Sequence, residues 1–227
     1  MAKKSSSTEI NKSLEILILF SSLIIVLLLW DTYFVYPIKL FVVLLHELSH
    51  ALCTMMTGGV VKEIEIGFDL GGKTTTVGGN EIAISSAGYI GSLLIGLALF
   101  ISANSVKNGK YFFFLLAGIV LLTLSISSPS PTFIFLCLVV VTFLILFGMF
   151  IHKMAISLFV KAVALSCALY VLIDIKEDVF STNITSDAII LSNLTGLNSF
   201  LIGILWLAIS MLSLFIMIKL IYFRKKT

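Results

Sequence analysis

Seven long apolar runs leave this chain few ways to fold. They span Leu14–Trp30, Pro37–Thr57, Ile82–Ala103, Tyr111–Ser127, Thr132–Ile151, Met154–Ile173 and Ser199–Phe223. A bilayer core of ~30 Å is crossed by about 20 apolar residues of helix. Inside hydrocarbon every backbone N–H and C=O must find its partner within the protein, so runs of this kind have to be helical. Of the 227 residues, 59% are hydrophobic and 12% charged, and the mean hydropathy is +1.15. Soluble domains carry about 25% charged residues, which places this chain in the bilayer rather than beside it. The expected fold is an all-α polytopic membrane protein of six to seven transmembrane helices. It forms one integral-membrane domain, 14–223, between basic tails at 1–13 and 224–227.

The remaining composition removes several alternatives. A formal charge of +3, with most of the lysines at the ends and in loops, gives no basic surface for nucleic acid. Cys53, Cys137 and Cys167 are an odd number in apolar runs and suggest no disulfide framework. The first apolar run follows a basic, serine-rich start, yet no small-residue cleavage site of the A-x-A kind follows it, so it reads as a retained first helix. Lys3, Lys4 and Lys12 place one end on the cytoplasmic side, and Arg224, Lys225 and Lys226 ask the same of the other. Seven crossings would separate the two ends. Six true crossings are therefore favoured, and the weakest separator between runs is His152-Lys153. Trp30, Tyr33, Tyr36, Tyr111, Trp206 and Tyr222 lie mostly near run ends, as interfacial aromatics do.

Segment 58–81 breaks the apolar pattern. Val60 to Ile66 alternates partly with period two, Lys73 to Val77 is β-branched, and Gly-Gly pairs punctuate the whole. This predicts a β-hairpin close behind the second helix, with an edge to which an extended peptide could add as a strand.

That second run contains His46-Glu47-Leu48-Ser49-His50, an H-E-x-x-H motif, between FVVLL and ALCTMM. Histidines four apart share one helix face and can reach a single Zn²⁺. Glu47 is the usual general base beside such a pair. Ionisable groups are costly in hydrocarbon and mark functional sites there. A catalytic zinc takes three protein ligands and keeps an open position. His152 beside Lys153 is explained by a membrane boundary. Cys53 is too near on the same helix to converge with both histidines. Glu63 and Glu65 follow too closely, and Asp69 stays conceivable. Asp174 is the better candidate: it closes an apolar helix that could pack against the motif, and a carboxylate completes a His₂–carboxylate set. Glu177 and Asp178 lie further into the polar segment. Gly88, Gly91, Ser92 and Gly96 offer small surfaces for close helix packing, and the helices must leave a polar cavity through which water reaches the motif.

The chain resembles the site-2 protease family of intramembrane zinc metallopeptidases, in its compact bacterial and plant branch. HELSHAL (46–52) followed by TGG (57–59), SSAGYIGSLLIG (85–96), and ALYVLIDIKEDVF (168–180) with SDA (186–188) and Trp206 carry the resemblance. The best-known members have N-x-x-P-x-x-x-L-D-G, whereas here Ser166 and Leu169 stand at the Asn and Pro positions and Ile175 follows the aspartate. The resemblance implies a multi-pass protein of a bacterial cytoplasmic membrane that hydrolyses peptide bonds of membrane-embedded protein or peptide substrates. It implies Zn²⁺ on His46, His50 and Asp174, with a zinc-activated water and Glu47 as base. The competing readings are a non-catalytic scaffold or chaperone-like protein retaining a metal site, and a transporter. Glu47 argues against the first, because binding alone needs no base. The absence of internal repeats argues against the second.

Overall fold

The computed structural model describes residues 12–105, 109–125, 128–150, 153–180 and 186–223. Every apolar run is a helix: α1 (Lys12–Leu28), α2 (Tyr36–Met56), α3 (Glu81–Ser105), α4 (Gly109–Ser125), α5 (Pro131–Phe150), α6 (Lys153–Phe180) and α8 (Ser199–Tyr222). A short α7 (Asp187–Thr195) lies between the last two. Five helices are long and apolar enough to cross a membrane outright: α2, α3, α5, α6 and α8. The other two, α1 and α4, have 17 residues each and rise about 25 Å, the short end of what a bilayer accepts. The chain is an integral membrane protein.

Burial differs sharply among these helices and identifies the centre of the bundle. In the most apolar window of α2, 72% is buried inside the protein, against 33% for α8, whose other faces are left for lipid. Pro37 sits in the first turn of α2, where its missing N–H costs nothing. Along α3, Gly91 comes against Ser49 of α2, and Gly96 against Cys167 and Ala164 of α6. These are the close approaches expected of small residues. Tyr89 and Asp174, Gly96 and Cys167, and Phe100 and Lys161 pair off along α3 and α6, so the two helices run antiparallel. The Lys12 ammonium donates to the Tyr222 carbonyl at 3.1 Å, so the start of α1 and the end of α8 meet at one end of the bundle. That agrees with the charge pattern; the basic residues at 3–4 and 224–226 themselves lie outside the described residues, as does His152.

The predicted hairpin is present. β1 (Val60–Ile66) pairs antiparallel with β2 (Gly72–Val77), in a register that sets Ile64 opposite Thr74 and Ile66 opposite Gly72, with an irregularity between Val61 and Glu63. Val61, Ile64 and Ile66 are buried and hold the hairpin on the bundle. The Ser128 N–H donates to the Lys62 carbonyl at 3.0 Å and ties β1 to the turn before α5. Asp69 turns the connecting loop by accepting the Gly71 N–H at 3.2 Å.

Trp206 departs from the interfacial expectation. It is 1% exposed and packs tilted on Tyr89, ring centroids 4.4 Å apart, in a buried cluster with Ala168, Val171, Ile175, Ala188 and Ile202. A tryptophan on α8 can turn inward because α3, α6 and α7 together give its ring more apolar contact than the membrane surface would.

Candidate metal centre

His46 and His50 both point from α2 into the bundle, and 6% and 7% of their surface is exposed. Their Nε2 atoms are 3.1 Å apart. Asp187 Oδ2, from the first turn of α7, lies 3.1 Å from each. Tetrahedral zinc with bonds of ~2.0–2.1 Å holds its donor atoms about 3.3 Å apart, so this triangle has the right size. These three are the His, Cys, Asp or Glu residues, among those described, that come together tightly enough to share an ion.

The hydrogen-bond pattern also suits a cation. His50 Nδ1 is 2.7 Å from the Ile84 carbonyl, which can only accept, so Nδ1 carries a hydrogen and Nε2 is the nitrogen turned toward the other two groups. Burial alone would raise the Asp187 carboxyl, but the two histidines pull it below the usual carboxylate range, so it remains an anion. Two imidazole Nε2 atoms and a carboxylate oxygen thus converge on one point.

Backbone geometry keeps that point empty of protein. A Cβ on Gly88 of α3 would lie 2.5 Å from His46 Nε2, and closer still to His50 Nε2. Gly88 is therefore more than a packing residue: any side chain there would fill the space between the donors.

Asp187 is held by an ordinary helix start. The Ser186 side chain caps α7 by accepting the Ile189 N–H at 3.3 Å. Gly196, at φ +74°, closes the other end in the left-handed region, and its N–H reaches the Ser192 carbonyl at 2.8 Å. Ala188 and Leu191 then bury α7 in the cluster around Trp206.

Glu47 lines the same cavity as the three donors. The Thr74 hydroxyl of β2 donates to Glu47 Oε2 at 2.6 Å, and Gly72 presses its backbone so close that a Cβ would come 2.8 Å from the Glu47 carboxyl carbon. The hairpin thus packs directly on the motif. The cavity has a volume of about 750 Å³, and Asp31, Lys39, Asp69, Lys73 and Glu81 also line it, which supplies the polar path that a site at this depth requires.

Asp174, expected as the third ligand, lines this cavity but is not in the triangle. Its Oδ2 accepts the Tyr89 hydroxyl at 2.6 Å. Asp187 stands where Asp174 was expected. The side chains of Glu177 and Asp178 lie outside the described residues. Asp69 is engaged in its own loop, and Cys53 is a free, partly exposed thiol. The signal for Asp187 was present in the sequence: a capping serine, an acidic first turn and a glycine nine residues on delimit a short helix inside a stretch that otherwise reads as a loop.

A helical membrane bundle with two histidines and a carboxylate gathered around one point, and a glutamate in the same cavity, is compatible with a membrane metallopeptidase. The family described as Peptidase M50B-like matches residues 19–217, nearly the whole described bundle, and the chain belongs to that family. Membership supports the resemblance to site-2 proteases carried by the motifs. Searches of curated proteins and of solved structures gave no match.

Proposed function

We propose that the protein is a zinc-dependent intramembrane endopeptidase, with His46, His50 and Asp187 as ligands and Glu47 as general base. One observation carries the reading: three lone-pair donors 3.1 Å apart share a cavity with the glutamate of the motif. Zinc held there would polarise a scissile carbonyl and acidify water. The protein's own residues supply the rest. Thr74 occupies Glu47 Oε2 and fixes the carboxylate, which leaves Oε1 to accept a proton and return it to the leaving amine. Gly72, Thr74 and Thr76 of β2 form part of the cavity wall, where an extended substrate backbone can lie alongside a strand. The substrate class is a peptide segment delivered from the membrane, since α2 carries the motif within the bundle.

The test uses the purified full-length chain in lipid nanodiscs. The wild type should bind one zinc and cleave a labelled transmembrane peptide. His50→Ala should lose the metal, because two ligands rarely retain it. Glu47→Gln should keep the zinc and lose ~10²–10⁴-fold in rate. Equal cleavage by Glu47→Gln and wild type would end the protease reading and leave a metal-binding scaffold.

A further inference from the structure

We propose that Asp174 and Tyr89 form a positioning pair that sets the ring orientation of His46. This rests on the reading of His46 as a metal ligand, and it gives Asp174 a role at the site without a bond to the ion.

The two ligand histidines are supported in different ways. A metal-binding histidine ordinarily donates its second ring N–H to a fixed acceptor, which sets both tautomer and tilt. His50 does so through Ile84. His46 Nδ1 is buried and has no hydrogen-bond partner among the described residues. Its ring is held instead by aromatic edges, with Tyr89 at 4.9 Å and 77° on one side and Tyr170 at 5.7 Å and 74° on another. The orientation of His46 therefore depends on how firmly Tyr89 is held.

Tyr89 is 1% exposed. Trp206 packs on its ring at 4.4 Å, and its hydroxyl donates to Asp174 Oδ2 at 2.6 Å. That bond joins α3 to α6, and Tyr89 follows Gly88, the residue that leaves space between the donors. Packing against Trp206 sets the plane of the ring. The carboxylate at its tip fixes where the ring axis points, and the ring edge passes that constraint to His46.

The experiment compares Tyr89→Phe, Asp174→Ala and Asp174→Asn in the full-length protein. Zinc affinity is read by chelator competition, and ligand geometry by the visible absorption of Co²⁺ bound in place of zinc. Tyr89→Phe and Asp174→Ala should each bind zinc roughly 10–100-fold more weakly and shift the cobalt bands. Their double variant should be no worse than the weaker single, because both remove the same bond. Asp174→Asn keeps an oxygen that can accept the phenol and should recover most of the affinity. Wild-type affinity and spectrum in the first two variants would overturn the proposal, and so would losses that multiply in the double. If Asp174→Asn loses metal as completely as Asp174→Ala, Asp174 is a ligand and the positioning role is wrong. His46→Ala separates this inference from the one beneath it. A wild type whose zinc binding does not depend on His46 refutes the metal centre itself, and the pair falls with it.

Discussion

Two of the ionisable groups buried among the described residues behave as opposites. At the start of α1, Glu15 is 2% exposed and accepts a hydrogen bond from the ammonium of Lys161 on α6, itself 1% exposed, with the Phe100 ring 5.8 Å away. Cation and anion cancel, and neither residue lines the cavity. Around His46, His50 and Asp187 two imidazole nitrogens and a carboxylate oxygen turn toward one another, and they face a cavity of about 750 Å³. Burial of ionisable groups in a membrane protein is thus not by itself a mark of chemistry. What distinguishes the second group is three metal-ligating side chains that converge on one point beside a cavity. The first group neutralises itself, and its role is to fix α1 against α6.

The sharpest way to break this contrast is to fill the space and leave every ligand in place. Gly88→Ala puts a methyl group among the donor nitrogens, so metal content should fall to near zero in a protein that still folds as the wild type does. Full zinc occupancy in purified Gly88→Ala, measured by elemental analysis, would show that the ion sits elsewhere.

The same manoeuvre at the ion pair should touch stability and spare the metal. Lys161→Met strands the Glu15 carboxylate and should cost about 3–5 kcal/mol, read by unfolding in mixed micelles. Glu15→Leu combined with Lys161→Met should restore most of that loss, because an apolar pair of similar volume is often no worse than a buried ion pair. Zinc content should stay at wild-type level in the double variant. A fall in zinc content there would mean that the two polar groups are linked.

The smallest effect concerns the hairpin. Thr74→Val removes the hydroxyl that fixes Glu47 and keeps the β-branched shape of the strand. A hydrogen bond to a charged group contributes about 1.5–3 kcal/mol, so peptide cleavage should slow by roughly 10–100-fold while zinc content is unchanged. An unaltered rate would show that β2 merely covers the motif.

Legible in the sequence were the membrane class, the helices and their approximate ends, the hairpin, and the motif that sets His46, Glu47 and His50 on one helix. These are local properties. Apolar runs must become helices in hydrocarbon, glycine pairs and alternation mark turning strands, and residues four apart share a face in any helix. What lay beyond it was every relation across long sequence separation. Asp174 and Asp187 are both acids in the stretch between the last two long helices, and spacing alone prefers the one that ends the longer apolar run. The tertiary structure decided otherwise because the capped α7, buried through Ala188 and Leu191, brings Asp187 to histidines that stand 141 and 137 positions earlier in the chain. It also decided that Trp206 turns inward and that Lys161 has Glu15 as its partner, 146 positions away. No periodicity encodes such contacts. They follow from how eight helices and a hairpin share one interior, where each buried polar group must meet its complement or leave a space that a ligand can fill.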